Sequence, residues 1–172
     1  MIQLPDTMGA NFDIADTTRA VGTLSDYDFA LGFWHFRFQG RRPDGTWWTP
    51  FSGHWRFERR PGGMLIVDSF RGDDSEASQS SGTFTVRSFH PQRKVWQMLG
   101  TNAAGAEFAI GMTWSDEKNR YAIQRYGTAI MRIRYFAIEP NRFLWRADRS
   151  TDGGKTWVRD WWTMEATRIG KE

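Results

Sequence analysis

The chain contains no cysteine. That excludes a disulfide scaffold, a Cys-ligated zinc or iron–sulfur centre and a thiol nucleophile. Long apolar runs are missing too: nothing approaches the roughly 18 residues of a spanning helix, so no membrane partner is expected. The opening segment, MIQLPDTMGANFDIADTTRA, has neither a basic start nor an apolar stretch. It does not read as a secretory leader, and a cytoplasmic protein is expected. Lysine is scarce, 4 against 19 arginines, and no five-residue basic cluster occurs. Phosphate binding needs clustered cations, so nucleic acid is not an expected partner. The phosphate-cradling glycine loop, the dinucleotide fingerprint, G-x-S-x-G and H-E-x-x-H are all absent. Nucleotide-dependent and hydrolytic chemistry are therefore not expected. No cofactor is called for. A metal centre would need His35, His54 and His90 to converge, which their spacing does not indicate, and none is expected.

What the sequence has is alternation. Its 172 residues suit one domain large enough to fold without a metal or disulfide. Helical spacing is almost absent, whereas a two-residue period recurs from residue 29 to 168. It predicts strands near 29–39, 47–59, 64–71, 82–89, 94–101, 106–114, 120–126, 128–138, 142–149 and 157–168. Turn chemistry separates them, as at Arg42-Pro43-Asp44-Gly45, Pro61-Gly62-Gly63 and Glu139-Pro140-Asn141. An all-β fold follows: a single antiparallel up-and-down barrel of about ten strands over 25–170, which leaves no free edge. A sandwich is the alternative. An N-terminal arm over 1–24, acidic and with a short helix around 13–20, precedes the barrel. The polar stretch 72–81 reads as a loop at the mouth, suited to be a lid. Arginine at every second position, as in Met131-Arg132-Ile133-Arg134-Tyr135, reads as the solvated face of a sheet.

Three segments carry a resemblance: Asp28-Phe29-Ala30-Leu31-Gly32-Phe33-Trp34; Gly53-His54-Trp55-Arg56-Phe57-Glu58 with Gly63 to Asp68; and Arg142-Phe143-Leu144-Trp145-Arg146 with Ser150 to Trp157. In this order and spacing the chain resembles a bacterial family of lipocalin-like proteins of unassigned function, within the calycin group of ligand-binding barrels. The resemblance implies an antiparallel barrel with an interior cavity for a small apolar molecule. It also implies that Gly32 and Trp34 meet a late arginine, Arg168, covering the indole. The Ser150–Trp157 stretch matches the Asp box of sialidases as well. A single copy is a hairpin turn, in which Asp152 satisfies backbone donors and the glycine pair supplies positive φ.

The candidate site residues follow from assigning the apolar face of each strand to the interior. Ten Trp and four Tyr are the main positive signal. Packing explains most of them, and a cavity for an aromatic or polycyclic ligand is the sharper reading. The expected lining is Trp34, Phe36, Trp55, Phe57, Phe108, Met112, Met131, Tyr135, Trp145 and Trp162. Asp68 shares a face with Met64, Ile66 and Phe70. If inward, it is either a desolvated general acid or base, or the partner of an Arg on a neighbouring strand. Asp160 sits similarly beside Trp162. Tyr135 is a hydrogen-bond or proton donor inside the cavity, with Tyr126 behind it. His54, next to His35, is an acid/base candidate or a solvent-facing residue. Three functions remain open: a binder of a small hydrophobic molecule, a cofactor-independent lyase, isomerase, cyclase or hydratase in the same cavity, and a β-domain with a filled core that binds a partner. Homo-oligomerisation is left open.

Overall fold

A computed structural model describes residues 22–73, 82–102 and 108–171. The expected helix around 13–20 and nearly all of the expected lid loop lie outside them. Ten strands form: β1 (Gly32–Gly40), β2 (Phe51–Arg59), β3 (Leu65–Gly72), β4 (Thr83–His90), β5 (Val95–Asn102), β6 (Phe108–Ser115), β7 (Arg120–Tyr126), β8 (Ala129–Glu139), β9 (Arg142–Ser150) and β10 (Val158–Gly170). Each pairs antiparallel with the next, and β1 pairs with β10 to close the barrel. The sandwich alternative is thereby ruled out. No helix among the described residues is long and apolar enough to cross a membrane.

Strand boundaries follow the alternation, with two shifts at strand starts: β2, expected from residue 47, begins at Phe51, and β1 moves as well. The first strand was expected from residue 29 but starts at Gly32, because Asp28–Ala30 form a 3-10 turn. That turn belongs to the segment 22–31, which closes the lower end of the barrel. Trp34 donates its indole N–H to the Ala30 carbonyl at 2.7 Å. Arg168 lies over the Trp34 ring at 4.1 Å and donates to the Leu31, Phe29 and Pro140 carbonyls. Gly32 is required here: its φ is 105°, and a Cβ would sit 2.7 Å from the Gly170 carbonyl oxygen. The glycine, tryptophan and arginine that the resemblance implied are thus brought together. Asp26 pins the same segment, accepting from Ser115 and Thr23, and Tyr27 is buried edge-on against Trp96 and Tyr135.

Side-chain parity matches expectation on most strands. On β1, Trp34, Phe36 and Phe38 face in while Phe33 and Arg37 are exposed. On β8, Met131, Ile133 and Tyr135 are buried between outward Arg132 and Arg134. Outward arginines lie over indole rings, Arg132 over the half-buried Trp157 and Arg149 over the buried Trp161. Strand β6 corrects the expectation. Phe108 is 65% exposed, and Met112 packs outside the barrel with Ile123, Ile130, Trp114 and Trp157. The inward residues of β6 are the small ones, Ala109, Gly111 and Thr113. At Gly111 a Cβ would collide with the Ile123 carbonyl oxygen. The apolar-face rule fails on this strand because its larger, more apolar face turns outward, while at Gly111 the β7 backbone comes too close for any inward side chain.

Candidate functional site

The lower half of the barrel is filled by Trp34, Phe57, Phe143, Ile66, Trp96 and Tyr27, all fully buried. The upper half encloses a cavity of about 610 Å³. Of the ten residues expected to line it, Trp55, Tyr135, Trp145 and Trp162 do. Trp34, Phe36, Phe57 and Met131 are buried on the inward side but belong to the packed core rather than to the cavity wall. Phe108 and Met112 are outside. The wall also includes Phe38, Phe51, Phe70, Met98, Ile133 and Met164, and Thr83, Thr101 and Arg42 stand at the mouth.

The floor is polar. Asp68 is opposite Thr85 across β3 and β4, which places it diagonal to Arg87, itself opposite Ile66. Diagonal neighbours on one face are within reach of a long side chain. The two form an ion pair with both side chains almost wholly buried. The other Asp68 oxygen accepts the Trp55 indole N–H at 2.7 Å. Arg87 also donates to the Tyr135 hydroxyl at 3.3 Å and lies over the Tyr27 and Phe57 rings. Of the alternatives weighed for Asp68, the pairing with an Arg of the neighbouring strand is the one present. Its charge is met by Arg87, so it is not a lone desolvated carboxylate. Arg87 was missed because the sequence places it among polar residues, Thr85 and Ser88, with no sign of its face.

Tyr135 stands where it was expected. Burial pushes its phenol up to about 12, against the opposing charge of Arg87, so it stays protonated at any ordinary pH. Burial likewise pushes Tyr126 up to about 12, and its hydroxyl bonds Gln124. His54 is the clear correction. It lies on the outer wall of β2, opposite His35 on β1, and its Nδ1 is 2.8 Å from Asp73. Strand parity removes it from the cavity, because Trp55 beside it points in. Asp160 is also outside: its left-handed backbone, φ 50°, marks the bulge in β10, and it faces Arg146. The Ser150–Trp157 stretch is the hairpin expected, with Asp152 accepting from Thr156 and Ser150 and the glycine pair at positive φ. Among the described residues no three His, Asp or Glu side chains are grouped to hold a metal ion.

No protein-family model matches the chain, and no curated protein matches its sequence. Solved structures do match. The chain is similar to the S-type phycobiliprotein lyase CPES from Guillardia theta, with a TM-score of 0.61 and 11% identity over 99% of each chain. It is also similar to Rv2717c from M. tuberculosis, with a TM-score of 0.56 and 13% identity over 84% of this chain and 96% of that one. The fold is that of a lipocalin-like barrel. At these identities the likeness is one of fold alone.

Proposed function

We propose that the protein binds one small hydrophobic molecule, aromatic or polycyclic, in the upper half of its barrel. The cavity carries this reading. Its 610 Å³ fall within the range of roughly 300–1,000 Å³ typical of small-molecule sites. Its wall is mostly apolar and aromatic, with a few polar groups gathered at the floor and the mouth. A filled β-domain would not keep this volume, since protein interiors pack to crystal-like density. The similarity to a phycobiliprotein lyase fits a small-molecule occupant. It also favours a second reading, a cofactor-independent lyase or isomerase in the same cavity. Of the three acid/base candidates, Tyr135 is the one that supports it, as a buried phenol against the cavity.

Trp48, Trp55, Trp145 and Trp162 all border the cavity, so an occupant changes the intrinsic fluorescence. Titration with naphthalene, anthracene and pyrene is expected to give a saturable response at one site per chain. A flat response to the whole panel would sink the binding reading. Gly100→Leu locates the site. A Cβ at Gly100 meets nothing closer than the Thr85 hydroxyl at 3.4 Å, so a larger side chain has room to enter the cavity. The variant is expected to weaken binding by roughly tenfold or more while the protein remains folded. Unchanged affinity in that variant would place the ligand elsewhere.

A further inference from the structure

The cavity floor is short of hydrogen-bond acceptors. Three donors there lack one among the described residues. Tyr135 accepts from Arg87, and no hydrogen bond takes the phenol's own proton. The Arg87 Nε–H is buried without a partner. The Trp145 indole N–H lies beside the Tyr135 phenol but makes no hydrogen bond of normal geometry. Both Asp68 oxygens are engaged, one by Trp55 and the other by Arg87, and neither takes these donors. A buried donor without an acceptor costs its full desolvation. An oxygen on an occupant of the cavity would supply the acceptor and remove that cost.

Its charge is constrained as well. Asp68 neutralises Arg87, so the floor has no net charge to offer an anion. A neutral acceptor fits it better than a carboxylate. Donation from Arg87 to the Tyr135 oxygen polarises the phenol O–H and strengthens it as a donor. Phe38, Phe70, Trp145 and Ile133 surround the rest of the ligand with apolar and aromatic surface.

Resting on the binding reading above, we infer that the ligand is an aromatic carbonyl compound, ketone- or quinone-like, whose neutral oxygen accepts a hydrogen bond from Tyr135 at the cavity floor. Fluorene and 9-fluorenone test this, since they share a planar skeleton and differ by one carbonyl. A merely apolar cavity favours the hydrocarbon, because the ketone oxygen gives up its water on entry. The expected result is the reverse, with fluorenone tighter on the order of tenfold. Tyr135→Phe is expected to abolish that preference, so that fluorenone binds no tighter than fluorene. In the unaltered protein, the infrared carbonyl stretch of bound fluorenone is expected to shift to lower wavenumber than in hexane. Equal affinities, or a preference for fluorene, would overturn the carbonyl inference and leave the binding cavity standing. An unshifted carbonyl band would do the same. A preference that survives Tyr135→Phe would overturn the role of Tyr135. If neither compound binds, the cavity reading and the inference fail together.

Discussion

Arg87→Met is expected to lower the free energy of unfolding by about 3–5 kcal/mol, because it strands the Asp68 carboxylate in the barrel without a countercharge. Both side chains of the pair are about 2% exposed or less, so water cannot take over the role of either partner. Asp68→Leu is expected to cost a similar amount by leaving the guanidinium unpaired. The double variant is the informative one. Replacing a buried pair by apolar groups of similar volume is often neutral or stabilising, so Asp68→Leu with Arg87→Met is expected to recover most of the loss. Urea denaturation of the three variants measures this through their midpoints. Single variants within about 1 kcal/mol of the parent would show that the pair is solvated and that the floor described above is not dry. The double variant also removes the donor behind Tyr135, so its preference for fluorenone should fall even where its stability returns.

Trp34→Ala is the second large expectation, a loss of about 3–5 kcal/mol from deleting a large core aromatic. The indole is fully buried, meets Phe143 edge-on at a centroid distance of 4.7 Å and lies under Arg168. Trp34→Phe separates packing from hydrogen bonding. It keeps an aromatic ring but leaves the Ala30 carbonyl without its indole donor, for an expected cost of about 1–3 kcal/mol. The lower closure should loosen in both variants. Arg168 ties β10 to the carbonyls of Phe29 and Leu31 while stacked on this ring. Amide exchange at Asp28, Ala30 and Leu31 is therefore expected to speed up before exchange in the strands. A Trp34→Phe protein with parental stability and parental exchange there would remove Trp34 from that role.

These two sites were unequally legible. Trp34 could be placed from sequence because β1 alternates between large apolar and polar residues, so only one register buries the apolar set. The ion pair could be anticipated only in part. Asp68 was a candidate with a neighbouring Arg as one reading, but which Arg depends on the pairing of β3 with β4. That pairing is not contained in either strand's own alternation and is fixed by the register in which β3 and β4 meet. Strand β6 shows the limit of the period itself. Phe108, Ile110, Met112 and Trp114 form as apolar a face as any inward one, yet they turn outward. Met112, Ile123, Ile130 and Trp157 find one another there and make a second apolar cluster outside the barrel. His54 was ambiguous for a related reason, since a histidine suits either face.

The sequence by itself determined the all-β class, the ten strands, the turns between them and the inward set on most strands, β6 excepted. Local chemistry is enough for these, because a two-residue period and a φ restriction act over a few residues. Tertiary structure alone decided the face of β6, the partner of Asp68 and the division of the barrel into a packed lower half and an open upper half. Each of these depends on which side chains meet across paired strands of the closed barrel. Such meetings are selected by the packing and charge balance of the closed barrel, where an unfilled donor, an unpaired charge or a colliding Cβ costs more than any local preference can offset.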